Sequence, residues 1–169
     1  DQRDQDHDRD HDALHDKRLA CAIIGSGPER ARLEAYIKEH SLEDSVVLLG
    51  HRPLPEALGL MKSFDIFVNP SYSEGIPTSV IEAAILKKAI IATNVGGTPE
   101  IITGNGDGFL VPAGDVKMLT EKLKLLADDP HIRLSLGERA YDAVQDTFSW
   151  PRAIEQYLEI LKNLSQKSK

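Results

Sequence analysis

Ser73-Glu74-Gly75-Ile76-Pro77-Thr78-Ser79-Val80-Ile81-Glu82 follows the short apolar run Asp65-Ile66-Phe67-Val68-Asn69. Together they read as a buried strand, a tight glycine-containing turn and a helix opening at Pro77. The apolar run is bounded by Pro70 and Ser71, which suits a parallel strand covered on both faces better than an exposed edge. Pro77 fits the first helical position because its missing N–H would be unpaired there anyway. The free amides of Gly75, Thr78 and Ser79 are then left as donors aimed beyond the strand end. A helix start of this kind is a ready anion site, and its dipole suits a phosphate.

Two carboxylates frame that helix start. Glu74 sits in the turn, and Glu82 lies one helical turn beyond Thr78 on the same face. Helical side chains lean back toward the N-terminus, so Glu82 reaches the mouth of the site. Facing a phosphate directly, both acids would repel it. They fit better as hydrogen-bond acceptors for hydroxyls on either side of a diphosphate, and a ligand with that layout is a sugar nucleotide. The plainer reading of the same residues is a glutamate near a helix start, favourable to the dipole, and a second on an exposed helix face.

Glu74 and Glu82, with seven residues between them, resemble the E-x7-E signature of the retaining, family 4 (group 1) glycosyltransferases. The resemblance runs from about Leu19 to about Leu161. It passes through Ile24-Gly25-Ser26-Gly27-Pro28, Val47-Leu48-Leu49-Gly50, Asn69-Pro70-Ser71, Gly96-Gly97-Thr98-Pro99-Glu100, Gly108-Phe109-Leu110-Val111-Pro112 and Phe148-Ser149-Trp150. Each motif alone is weak, and it is their order and spacing that make the match specific. The resemblance implies an α/β, Rossmann-like parallel sheet with helices on both faces, the C-terminal donor-binding half of a GT-B architecture. It further implies transfer of a hexose from a UDP- or GDP-sugar to an acceptor hydroxyl, with retention at the anomeric carbon and no metal or other cofactor. Glu74 is then the catalytic-site acid that binds donor sugar hydroxyls. Glu82 takes the ribose diol, and the amides from Gly75 through Ile76 and Thr78 to Ser79 hold the diphosphate. The loops holding Gly25, Gly27, His51 and Arg52 border the nucleotide, with the backbone near His51 and Arg52 meeting the base. Family members carry an upstream strand and helix, with an Arg and a Lys on the diphosphate, and an N-terminal acceptor-binding domain. Neither is readable here, so the chain is expected to bind a donor without turning it over alone. Membrane association is expected only peripherally or through segments outside the chain.

At 169 residues the chain has the length of one domain with a sizeable core. A net charge of -7 argues against a nucleic-acid partner, which favours a basic stripe. Cys21 is the only cysteine, which fits a reducing cytoplasm, and its place in the run Ala20 to Ile24 suggests a buried small hydrophobe. No apolar run approaches the roughly 18 residues of a membrane span.

Residues 1–18 read as an acidic tail, and residues 19–169 as a truncated nucleotide-sugar-binding domain. Within the tail, Asp1 to Lys17 holds seven Asp against Arg3, Arg9 and Lys17 with little apolar content. His7, His11 and His15 recur every four residues, and Asp6-His7-Asp8 matches D-x-D. Ligand spacing alone is weak evidence for a metal site, and no strand precedes the D-x-D.

Leu19 to Ile24 reads as a strand and Glu29 to Glu39 as a helix whose inner face is Leu33, Tyr36 and Ile37. A dinucleotide fingerprint fails there, because Arg30 stands where a third glycine belongs and Val46 to Leu49 ends in Gly50-His51-Arg52 without an acid for an adenosine ribose. Pro55 to Ser63 reads as a helix with Met61 in the core, Ala89 to Thr93 and Phe109 to Val111 as strands. Lys87 occupies the helix end where the family usually has glycine. Three further helices are expected from Asp115, Pro130 and Pro151, the last carrying the core-like spacing Ile154, Tyr157, Leu158, Leu161, although the resemblance implies a final helix that crosses back to the N-terminal domain and leaves part of that face without a partner here. Two other classes fit the same residues: a non-catalytic sugar-nucleotide-binding or partner-subunit module, and a phosphorylase-like or epimerase-like GT-B domain.

Overall fold

The computed structural model describes residues 19–167. The tail with His7, His11, His15 and its D-x-D lies outside the described residues. Two compact units divide the chain between Ala57 and Leu58.

In the first unit, β1 (Cys21–Ile24) and β2 (Val46–Gly50) form a parallel pair, with α1 (Arg30–Glu39) between them in sequence. Cys21 faces Val46 across the pair and Ile23 faces Leu48. Strand side chains alternate between faces, and here only the Ala22 and Ile24 face is half-buried. Cys21 is therefore exposed rather than buried: the apolar run correctly predicts a strand, but Cys21 falls on its open side. On α1, Leu33 and Ile37 are half-buried as expected. Tyr36 instead stands exposed, stacked on His40 with ring centroids 3.9 Å apart.

α2 (Leu54–Ser63) leads from the first unit into the second. The second unit contains a three-stranded parallel sheet in the order β3 (Ile66–Asn69), β4 (Ala89–Thr93), β5 (Phe109–Val111). All five residues of the central strand are buried, because helices cover both of its faces. Ile90 and Ala92 pack with Val80, Ala83 and Ala84 of α3 (Thr78–Ile85), Ala140 and Val144 of α6 (Pro130–Val144), and Met61 of α2. Ala89 and Ile91 point the other way, onto Leu126 of α5 (Val116–Asp128) and Leu136 of α6. Asp115 caps α5 by accepting from the Met118 amide, and Asp129 caps α6 by accepting from the His131 and Ile132 amides. The short α4 (Thr98–Ile101) lies between β4 and β5 in sequence.

α3 ends in a left-handed residue without the usual glycine. Lys87 adopts φ +55°, and its ammonium pairs with Glu138 of α6 at 2.7 Å while lying 4.8 Å from the centre of the Tyr141 ring. The hydrogen bond that Lys87 donates to the Glu138 carboxylate pushes the Lys87 pKa up. A neighbouring helix thus supplies contacts that offset the strain a glycine would avoid.

The last helix, α7 (Trp150–Lys167), corrects the sequence reading. Ile154, Tyr157, Leu158 and Leu161 do line one face of it, yet all four are exposed, as are Trp150 and Leu164. Helical spacing shows that a face is apolar; it does not show what covers it. None of the described helices is long and apolar enough to cross a membrane.

Candidate functional site

The turn that carries Glu74 is fixed from beneath by the ends of two neighbouring strands. β3 and β4 run in register with Asn69 opposite Ala92, so Thr93 lies just beyond the end of β3. The Thr93 hydroxyl donates to the Ser71 carbonyl at 2.6 Å. The Ser71 hydroxyl donates to Glu74 Oε1 at 2.7 Å, and the side-chain amide of Asn69 reaches the same oxygen at 3.3 Å. Asn69 and Thr93 are both buried, while Glu74 is half-buried at the surface.

Pro77 is the residue before the helix, with φ -72° and ψ 104°, and Thr78 opens α3. The start is one residue later than the sequence suggests because the extended Pro77 offers only its carbonyl, to the amides of Val80 and Ile81. No side chain caps α3. Among the described residues, no acceptor meets the amides of Gly75, Ile76, Thr78 or Ser79. The N-terminus of α3 thus keeps its partial positive charge and its unpaired donors.

The Gly96-Gly97 turn locks against this corner. Gly97 donates to the Gly75 carbonyl at 2.6 Å, and a Cβ on Gly96 would collide with the Glu74 carbonyl oxygen. Gly96 also has φ +53°, so its position demands glycine on two counts.

Glu82 follows Thr78 by one helical turn, and its carboxylate has no hydrogen-bond or ionic partner among the described residues. Partial burial pushes its carboxyl pKa up, because desolvation disfavours the charged form.

The remaining candidates belong to the first unit. The Gly25 amide donates to the Gly50 carbonyl at 2.9 Å, which brings the loops after β1 and β2 side by side. Gly27, His51 and Arg52 are exposed on those loops, and Arg52 lies 3.7 Å from Glu56. Asn69 and Ser71 entered the sequence reading only as parts of a motif, and Thr93 only as a strand end. The signal that marks them is the polar character of adjacent parallel strands at their C-terminal ends, where such sheets place ligands.

The fold is that of the GT-B glycosyltransferases. The chain belongs to the family of glycosyl transferases group 1, whose model matches residues 9–143. It is 33% identical over 157 residues to the amylovoran biosynthesis glycosyltransferase AmsK of Erwinia amylovora, an alignment covering 85% of this chain and 37% of AmsK. Sucrose-phosphate synthase from Thermosynechococcus elongatus superposes with a TM-score of 0.76 at 28% identity, over 86% of this chain and 38% of that one. Anabaena HepE, solved in complex with UDP-glucose, shares the fold with a TM-score of 0.74 at 24% identity, over 85% of this chain and 41% of that one. The chain therefore spans well under half the length of these relatives.

Proposed function

We infer that this chain is the donor-binding part of a retaining glycosyltransferase, one that moves a hexose from a UDP- or GDP-sugar to an acceptor hydroxyl. The observation that carries the reading is the start of α3, where four amides at and just before the helix lack acceptors among the described residues while one acid precedes the helix and another rides its first turns. Those donors match a diphosphate, whose negative charge grows as the glycosidic bond breaks, and preorganised dipoles favour such charge most when it is largest. Glu74 accepts from the hydroxyls of the sugar. Glu82, without a partner of its own, accepts from the ribose diol. The scheme needs no metal, since the helix start and the protein's own donors meet the leaving group. An acceptor-binding domain belongs to the remainder of the longer enzyme, consistent with the 37% of AmsK that the match covers. Alone, this chain binds a donor without turning it over.

Calorimetry with UDP and GDP on the wild type and on Glu82→Ala tests the reading. The wild type is expected to bind one of the two, and the variant to bind it about tenfold more weakly, as for loss of a hydrogen bond to a charged acceptor. Absence of binding to both nucleotides, or equal binding by the variant, overturns it.

A further inference from the structure

Glu74 is held asymmetrically. Both of its side-chain donors, the Ser71 hydroxyl at 2.7 Å and the Asn69 amide at 3.3 Å, converge on Oε1. Oε2 has no partner among the described residues.

Each donor is in turn oriented by something else. Asn69 Oδ1 accepts from the Ser71 backbone amide at 3.3 Å, so its NH2 group is the end that turns to Glu74. The Thr93 hydroxyl has a single hydrogen, and the 2.6 Å contact to the Ser71 carbonyl is far better than its 3.4 Å approach to the Asn69 carbonyl. Ser71 is thus fixed through its carbonyl, its amide and its hydroxyl. The Asn69 and Thr93 side chains that fix it are buried at the ends of two paired strands.

We propose that Asn69 and Ser71 are positioning residues for Glu74, which hold its carboxylate by Oε1 and leave Oε2 as the acceptor for one hydroxyl of the transferred sugar. The proposal rests on the donor-site reading above. A carboxylate with both oxygens free rotates about its last bond, whereas one anchored through a single oxygen presents the other in a fixed direction. Charge-assisted bonds to Oε1 are strong enough to hold that direction against rotation.

The test compares, by calorimetry on the full chain, binding of UDP with UDP-glucose and UDP-N-acetylglucosamine, and of GDP with GDP-mannose. The quantity read is the gain in affinity that the sugar adds to the nucleotide. Ser71→Ala and Asn69→Asp are expected to reduce this gain roughly five- to tenfold while leaving nucleoside diphosphate affinity within about twofold. The second variant removes a donor and places a carboxylate against Glu74 without changing shape. Ser71→Thr, which keeps the hydroxyl, is expected to retain the gain, and thermal melting shows whether the variants remain folded. If Glu74→Ala loses the gain but Ser71→Ala and Asn69→Asp keep it, the positioning role is overturned and the nucleotide site stands. Equal weakening of nucleotide and nucleotide-sugar binding makes Ser71 and Asn69 structural and also overturns it. A wild type that binds none of the five nucleotides overturns the donor-site reading itself.

Discussion

Gly96 lies so close to Glu74 that the main-chain oxygen of the acid occupies the place where a Cβ at position 96 would stand. The contact joins the turn after β4 to the turn before α3, and the adjacent Gly97 to Gly75 hydrogen bond closes it. Gly96→Ala is expected to force a left-handed alanine and displace the Glu74 backbone together. The expected loss of stability is about 2–4 kcal/mol in denaturant titrations. Whatever folded protein remains should bind nucleotide-sugars more weakly than the wild type. A melting curve unchanged from wild type would show that the turn yields freely.

Gly137 stands in a comparable relation to Lys87. It lies inside α6, where alanine normally gains about 1 kcal/mol over glycine. Its missing Cβ, however, would strike the Lys87 carbonyl. Overpacking against backbone costs roughly 1–3 kcal/mol, so collision outweighs propensity and Gly137→Ala is expected to destabilise. Denaturation midpoints of the two proteins check the sign.

Asp107 is buried in the loop before β5, and its carboxylate accepts from the amides of Thr103 and Gly104 and from the Thr103 hydroxyl, each at 2.9 Å. Asp107→Ala leaves those donors to water, and a loss of about 2 kcal/mol is expected in urea titrations. Thr103 and Gly104 are exposed, which is why the figure is not larger.

Glu82 gives the ligand-free protein a dependence on pH. Its folded pKa is raised by desolvation, so the native state binds more protons than the unfolded chain between the two values. Stability contributed through this group therefore falls as pH rises through the upper carboxylate range. Glu82→Gln is expected to remove that fall, gaining on the wild type as pH increases, in thermal melts across the range. A difference that is flat with pH would place the Glu82 carboxyl in ordinary solvent.

How much was legible before the structure depends on which kind of signal each residue carried. Ala89 to Thr93 reads as a strand from its apolar run, and its observed bounds are the same, because a fully buried strand has little besides hydrophobicity in its sequence. The helix at Pro77 and the acids Glu74 and Glu82 are local features and appear where expected, within one residue. The anchoring of Glu74 by Ser71, Asn69 and Thr93 was not legible, since Thr93 is 22 residues from Ser71 and only the strand register brings them together. Cys21, Tyr36 and the apolar side of α7 were misplaced for a single reason. Periodicity reports which face of an element is greasy, whereas exposure depends on neighbours that no local pattern names.

The enclosure of β4 reaches beyond packing. Amide exchange should be slowest along Ala89 to Thr93, because each of those residues is sealed from solvent. Thr93, the terminal member of that strand, donates to the main chain of Ser71, so the surface segment ending at Glu74 is moored to a fully buried strand of its unit. Thermal jitter of the acid is therefore damped by the interior, and softening the middle of the sheet would blur the aim of a side chain several residues away.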